Sequence, residues 1–158
     1  MYNPFSLSGK TILVTGASSG IGQATAIECS RLGARCVITG RNPERLQQTC
    51  DALEGDGHIQ IIADLSTQDG IDTLADAIPN IDGLVNNAGI GLNKPIAYIK
   101  QEDLEKIFQV NTYAPILLTK ALLRKKRLTK TVLLYSLLLF PLLEVILDAR
   151  CTEHRNLL

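Results

Sequence analysis

The sequence has no excess of charge of either sign. Its 16 lysines and arginines are matched by 16 aspartates and glutamates, so no global field draws it toward nucleic acid or an anionic membrane. It lacks a basic and then apolar opening: MYNPFSLSGK has neither feature, which reads against a secretory signal. It lacks paired cysteines as well. Cys29, Cys36, Cys50 and Cys151 form no Cys-x-x-Cys and stand at no metal-ligand spacing from His58 or His154. No metal site is expected, and the thiols read as reduced ones of a cytoplasmic protein. No internal repeat is present, and no linker interrupts the chain before about Lys130. A length of 158 residues fits one domain with a real core.

What is present is an alternation. KTILVTG, ARCVITG, HIQIIADL and IDGLVNNAG are short apolar runs that read as buried strands. Between them, GIGQATAIECSRLGA carries apolar residues at helical spacing and stops at Gly33. PERLQQTCDALEG opens on Pro43, suited to a first helical turn, and closes at Gly55. STQDGIDTLADAI is a third helix with Ser66 as its expected N-cap. EDLEKIFQVNTYAPILLTKALL is a long fourth helix interrupted by Pro115. Apolar strands alternating with helices predict an α/β protein, a parallel sheet covered on both faces.

The most informative stretch is TGASSGIG, Thr15 to Gly22, at a strand-to-helix junction. Gly16 permits a tight turn, while Gly20 and Gly22 let backbone amides and a helix N-terminus approach a pyrophosphate. Taken alone, this could be a glycine-rich turn with no ligand. Its spacing, together with NNAG from Asn86 to Gly89, resembles that of the short-chain dehydrogenase/reductase family from about Ser8 to about Leu128.

The resemblance implies a Rossmann-like doubly wound parallel sheet, incomplete here, with the strands after the fourth missing or replaced. It also implies a cofactor-binding set: Thr15, Gly16, Ser18, Ser19, Gly20, Ile21 and Gly22 from the turn, Asp64 and Leu65 against the adenine, and Asn87, Ala88 and Gly89 beneath its ribose. On local chemistry alone, Asp64 could equally be a helix cap and the asparagines a plain turn. Asn111, a poor helix former inside a helical pattern, matches the family asparagine that bends this helix and holds a water in a proton relay. Otherwise it is a solvent-facing Asn. A homo-oligomer formed through this helix also follows from the resemblance.

Cofactor choice is legible at the end of the second strand, where an acidic residue would hold a ribose 2′-hydroxyl. VITGRN has Gly40 there, then Arg41, whose guanidinium can grip a 2′-phosphate through two parallel hydrogen bonds. That favours NADP(H) over NAD(H), against the alternative of an ordinary surface arginine. The implied reaction is hydride transfer between the nicotinamide and a small-molecule carbonyl or alcohol, with no nucleic acid or membrane partner.

That chemistry needs a tyrosine with a lysine four residues on, sharing one helix face. Tyr2, Tyr98, Tyr113 and Tyr135 are followed at that distance by Ser6, Glu102, Leu117 and Leu139. Of the catalytic set only Asn111 is present, so the chain is expected to be inactive. Two readings from other classes compete: a non-enzymatic dinucleotide-binding module, and a membrane-tethered protein with a Rossmann-like head.

Residues 1–128 therefore read as a partial NADP-binding domain and 129–158 as an aberrant apolar tail. Val132 to Leu147 is almost solid Leu, Val and Ile behind a basic run from Arg124 to Lys130. As a membrane span it falls short of the roughly 20 residues needed and contains Pro141 and Glu144. As a buried helix it would be apolar all round, with a proline midway.

A slipped reading frame fits better. Joining the last base of each codon to the first two of the next permits Val-Tyr-Gly-x-Ser-Lys across Arg150 to Asn156. The same shift permits Asn-Gly-Ser-Ile-Val-Phe-Ile-Ser-Ser across Lys130 to Leu139, which resembles the family's fifth strand and its serine. Loss of the later strands is expected to leave the fourth as an uncovered apolar edge.

Overall fold

Thr11–Thr15 forms β1 because both of its faces are covered, which an unbroken apolar run requires. Leu13 points to one side and Ile12 and Val14 to the other, the two-residue period of a strand. The structure, a computed structural model, describes residues 3–136.

After β1 come α1 (Gly20–Arg31), β2 (Arg35–Gly40), α2 (Pro43–Asp51), β3 (Ile59–Ile62), α3 (Gln68–Ala77) and β4 (Ile81–Asn86). A single 3-10 turn at Ile96–Tyr98 precedes α4 (Gln101–Phe108), then come α5 (Ala114–Arg124) and β5 (Leu128–Ser136). All strand pairs are parallel, in the order β3-β2-β1-β4-β5. The order reverses beside β1, so the chain leaves β1 in one direction across the sheet and returns to its other side at β4. That is the topology of a doubly wound α/β fold, with five strands among the described residues.

Two cores result. On one face Leu13, Val37 and Leu84 meet Ile71 and Leu74 of α3 and Leu118 and Leu122 of α5. On the other, Ile12, Val14, Cys36 and Ile38 meet Ala26 of α1 and Leu46 of α2. Leu13, Leu74, Leu118 and Leu122 are wholly buried, and each such side chain contributes about 1.5–3 kcal/mol of transfer free energy.

Helix ends follow local chemistry, with three departures from expectation. Gly33 stops α1 in the left-handed region at φ +92°, and Pro43 sits in the first turn of α2 behind the Asn42 cap. That helix ends at Asp51, short of Gly55. The cap of α3 is Thr67, whose Oγ1 accepts from Gly70 N at 3.1 Å, because Ser66 belongs to the preceding turn and donates its amide to Asp64 Oδ1 at 3.0 Å. The long fourth helix is interrupted before Pro115, by a π-helical turn at Gln109–Tyr113. Pro115 stands just after it, and because it lacks an N–H and its ring clashes with the carbonyl four residues back, it favours this break in the α-helical ladder.

The sheet does not stop at β4. Leu128 pairs with Ile81, and Leu133 to Ser136 pair with Gly83 to Asn86 across an irregularity. The edge of β4 is thus covered, contrary to the expectation of an uncovered apolar edge, and Leu128 and Leu134 pack against the α3–α5 core. The apolar run of 129–158 is a parallel strand in its first part. The readings that concern 137–158, a membrane span or a frame-shifted tail, lie outside the described residues.

Candidate functional site

β1 ends in a tight glycine turn. Gly16 has φ +65° and Gly20 φ +58°, conformations that side chains resist. Space is short as well: a Cβ on Gly16 would lie 2.7 Å from Ala88 Cα, and one on Gly22 would run into the Asn87 amide and the Gly16 carbonyl.

The turn is fastened to the loop after β4. Thr15 Oγ1 accepts from the Asn87 and Ala88 amides, both at 3.0 Å, and donates to Val85 O at 3.3 Å. The Asn87 side-chain Nδ2 donates to Thr15 O and Gly16 O, both at 3.1 Å. Thr15 and Asn87 therefore hold the turn's shape.

One cavity of about 570 Å³ opens at the carboxyl ends of the strands. It is lined by Gly16, Ser18 and Ser19 of the turn, Arg41 after β2, Asp64 and Leu65 after β3, and Ala88 and Gly89 after β4. Thr15, Gly20, Ile21, Gly22, Asn87 and Asn111 do not line it; Gly20 and Ile21 are exposed, and Thr15 and Gly22 are buried. Thr39, Asn42, Arg45, Ile90 and Val110 also face it; the sequence reading passed over them. Arg45 had a signal, a second cation four residues after Arg41. The others are placed by the fold alone.

The lining is polar where a dinucleotide would need it. Ser19 caps α1 without a side-chain hydrogen bond to its first turn, which leaves those amides and the helix dipole to an anion. Ser18 Oγ and Thr39 Oγ1 are buried without a hydrogen-bond partner. Arg41 and Arg45 are exposed and enter no ion pair among the described residues. The Ser66 backbone amide, then its hydroxyl, hold the Asp64 carboxyl below its ordinary value of 3.8, and the charge of Arg41 adds to this. Asp64 is thus a fixed acceptor between the sheet and α3. These residues fit a group carrying phosphates and hydrogen-bond donors.

Asn111 lies in the middle of the π turn. Its Oδ1 accepts from Ile90 N at 2.8 Å and its Nδ2 donates to Ile90 O at 3.0 Å. A side-chain amide matches a peptide group in this way, which explains an asparagine where a helix disfavours one. The pair joins the α4–α5 junction to the cavity wall.

A second cleft, of about 480 Å³, lies at the starting ends of β1 and β2, against Gly9, Lys10, Ser30 and Glu54. Its glycines, Gly9, Gly33 and Gly55, sit in turns with positive φ, but Gly33 and Gly55 follow the C-terminal ends of α1 and α2, where the helix dipole disfavours an anion. The described residues hold no group of three or more His, Cys, Asp or Glu that could bind a metal. No helix among them is long and apolar enough to cross a membrane.

Known proteins carry the same arrangement. Residues 10–131 match the short chain dehydrogenase family. The chain is 35% identical over 119 residues to the 3-oxoacyl-(acyl-carrier-protein) reductase of Rickettsia prowazekii, covering 75% of this chain and 49% of that one. It is 39% identical over 121 residues to an uncharacterized oxidoreductase of Bacillus subtilis, covering 72% and 45%. Among solved structures, the L-sorbose reductase of Gluconobacter frateurii, complexed with NADPH and L-sorbose, superposes with a TM-score of 0.72. Its identity is 29%, over 78% of this chain and 49% of that one. The chain spans about half the length of the curated relatives it matches. By the family match and the glycine turn, strand order and sheet-end cavity that accompany it, this chain belongs to the short-chain dehydrogenase family of oxidoreductases.

Proposed function

We propose that this chain is the dinucleotide-binding part of a short-chain dehydrogenase/reductase that takes NADP(H) in preference to NAD(H). The reaction of the whole protein would be hydride transfer between that cofactor and a small-molecule carbonyl or alcohol. The observation that carries the cofactor preference is Arg41. It follows Gly40 at the end of β2, is exposed and unpaired among the described residues, and lines the cavity with no carboxylate at position 40. The NADPH held by the similar L-sorbose reductase supports the same choice.

When bound, the nicotinamide supplies or accepts the hydride. In this chain Gly16, Ser18, Ser19 and the α1 N-terminus would hold the pyrophosphate, Asp64 and Leu65 the adenine, and Arg41 the 2′-phosphate, with Ala88 and Gly89 beneath the ribose. Asn111 would fix the wall through Ile90. No tyrosine here has a lysine four residues later, so the chain as written binds without catalysing. That absence favours, as second reading, a binding module with no turnover. The reduced-thiol reading supports a cytoplasmic location, and burial, which pushes the Cys36 thiol up to about 12, suits an unreactive cysteine. Self-association through α4 and α5 is supported by the exposed Leu104, Phe108, Ile116 and Leu123 on them.

The test is a fluorescence titration with each reduced nucleotide. NADPH should bind about tenfold or more tighter than NADH, a charge-assisted bidentate contact being worth at least that factor. Arg41→Ala should erase most of the difference. Equal affinities in the parent chain would remove the assignment.

A further inference from the structure

The charge of Arg41 explains attraction to a phosphate, but it does not explain why residue 40 is a glycine. We infer that Ser18 and Gly40 form a matched steric pair, and that Ser18 sets cofactor specificity by filling the volume a ribose-binding carboxylate at position 40 would need. This deepens the NADP(H) reading and rests on it.

Gly40 is not among the residues with positive φ, so its backbone does not demand glycine. Space does. A Cβ at position 40 would overlap Ser18 Oγ, lie 3.3 Å from Ser18 Cβ and come within 3.6 Å of Leu46 Cδ1. Rotating the serine hydroxyl removes the first conflict and leaves the second, because Ser18 Cβ moves only with the backbone of the turn. That backbone is held by Asn87 through Thr15 O and Gly16 O. Leu46 is wholly buried and already at van der Waals distance from such a Cβ, so the new side chain gains no space by shifting toward it.

The same serine has chemistry to offer. Its Oγ is buried without a partner, as is Thr39 Oγ1 beside Gly40, and both residues line the cavity. An unpartnered Ser18 hydroxyl in one cavity with the unpaired Arg41 suits a group rich in acceptors. A phosphate monoester dianion is such a group, and it accepts charge-assisted hydrogen bonds. A ribose 2′-hydroxyl is neutral and brings a donor for which position 40 offers no side-chain acceptor. Ser18 therefore acts twice, excluding the carboxylate and receiving the phosphate.

The test uses the full chain and four forms: parent, Gly40→Asp, Ser18→Gly and the double variant, each titrated with NADPH and NADH. Gly40→Asp alone should weaken both nucleotides, because the new side chain is forced out of line. The double variant should bind NADH about tenfold or more tighter than Gly40→Asp alone and should reverse the parent's preference. NADH affinity in Gly40→Asp equal to that of the double variant would overturn the inference.

A urea-unfolding cycle on Gly40→Ala, Ser18→Gly and their combination tests the steric half without any nucleotide. Ser18→Gly should recover most of the stability that Gly40→Ala removes, and strict additivity would refute the pairing. A parent chain binding neither nucleotide would overturn the proposed function and the specificity claim with it. The unfolding cycle would then still decide whether the pair exists.

Discussion

Replacing Thr15 by valine should damage this protein far more than an exchange of similar volume suggests. Thr15 is 1% exposed, and its hydroxyl is the acceptor for two amides, Asn87 N and Ala88 N, each at 3.0 Å. Valine fills the space and accepts nothing. A buried donor left unsatisfied costs about 1–3 kcal/mol, so two cost about 2–6 kcal/mol, and the added methyl returns less than about 1 kcal/mol. Set against a typical domain stability of about 5–15 kcal/mol, this is a large share.

The assay is urea unfolding, with the midpoint read at unchanged slope, and Thr15→Ser as control. Serine keeps the acceptor and loses one methyl, a cost of about 1 kcal/mol. Hydrogen exchange localises the effect: the Ala88 amide should lose protection before the amides of β2. A Thr15→Val protein within about 0.5 kcal/mol of the parent would refute the claim that this hydroxyl fastens the turn.

Asn111→Ala should cost about 1–3 kcal/mol, less than two wholly buried groups would, because Ile90 lines the cavity and water can reach its freed N–H and C=O; exchange at the Ile90 amide should rise, and unchanged protection there would dismiss the clamp. Asp82 receives Thr11 N at 3.0 Å and the Thr129 hydroxyl at 3.1 Å. The Thr11 amide in particular lowers its carboxyl below the ordinary 3.8, although burial opposes the shift. A depressed folded value means that its stabilisation is complete above 3.8 and is lost as pH falls through that lower value. Asp82→Asn should flatten that acid-side fall in unfolding midpoint, and an unchanged slope would remove Asp82 as its cause. For the frame-shifted tail, the gene should have a Cys151 codon ending in T and an Arg155 codon ending in A, giving the shifted Tyr and Lys. Either codon ending otherwise would return 129–158 to a native reading.

The sequence disclosed its strands because buried parallel strands are short apolar runs. TGASSGIG disclosed its turn because glycine is needed where φ is positive and where backbones nearly touch. Other features depend on partners distant in the chain. The π turn accommodates Pro115, which the sequence displays, and the pairing of Asn111 with Ile90, which no local propensity at Gln109–Tyr113 announces. Ser66 and Thr67 are equivalent as caps on paper, and the Asp64 carboxylate decides between them. Leu128–Ser136 has the composition of a strand, but its place beside β4 is a pairing, and pairing is not written in hydropathy. The fit of Ser18 to Gly40 across the end of β2 is invisible until both are placed.

The stitch between Thr15 and Asn87 spans 72 residues of chain, and that has a consequence for synthesis. β1 leaves the ribosome first, yet it occupies the middle of the sheet and waits for β4 to reach its second side. The loop that must close is long, so the turn gains its clamp late and all at once. Until Ala88 has emerged, the glycine turn is an unrestrained loop with no wall behind it. A nascent chain stalled before that point should therefore hold no nucleotide, however complete its TGASSGIG segment is, and the capacity to bind should arrive as a step during elongation.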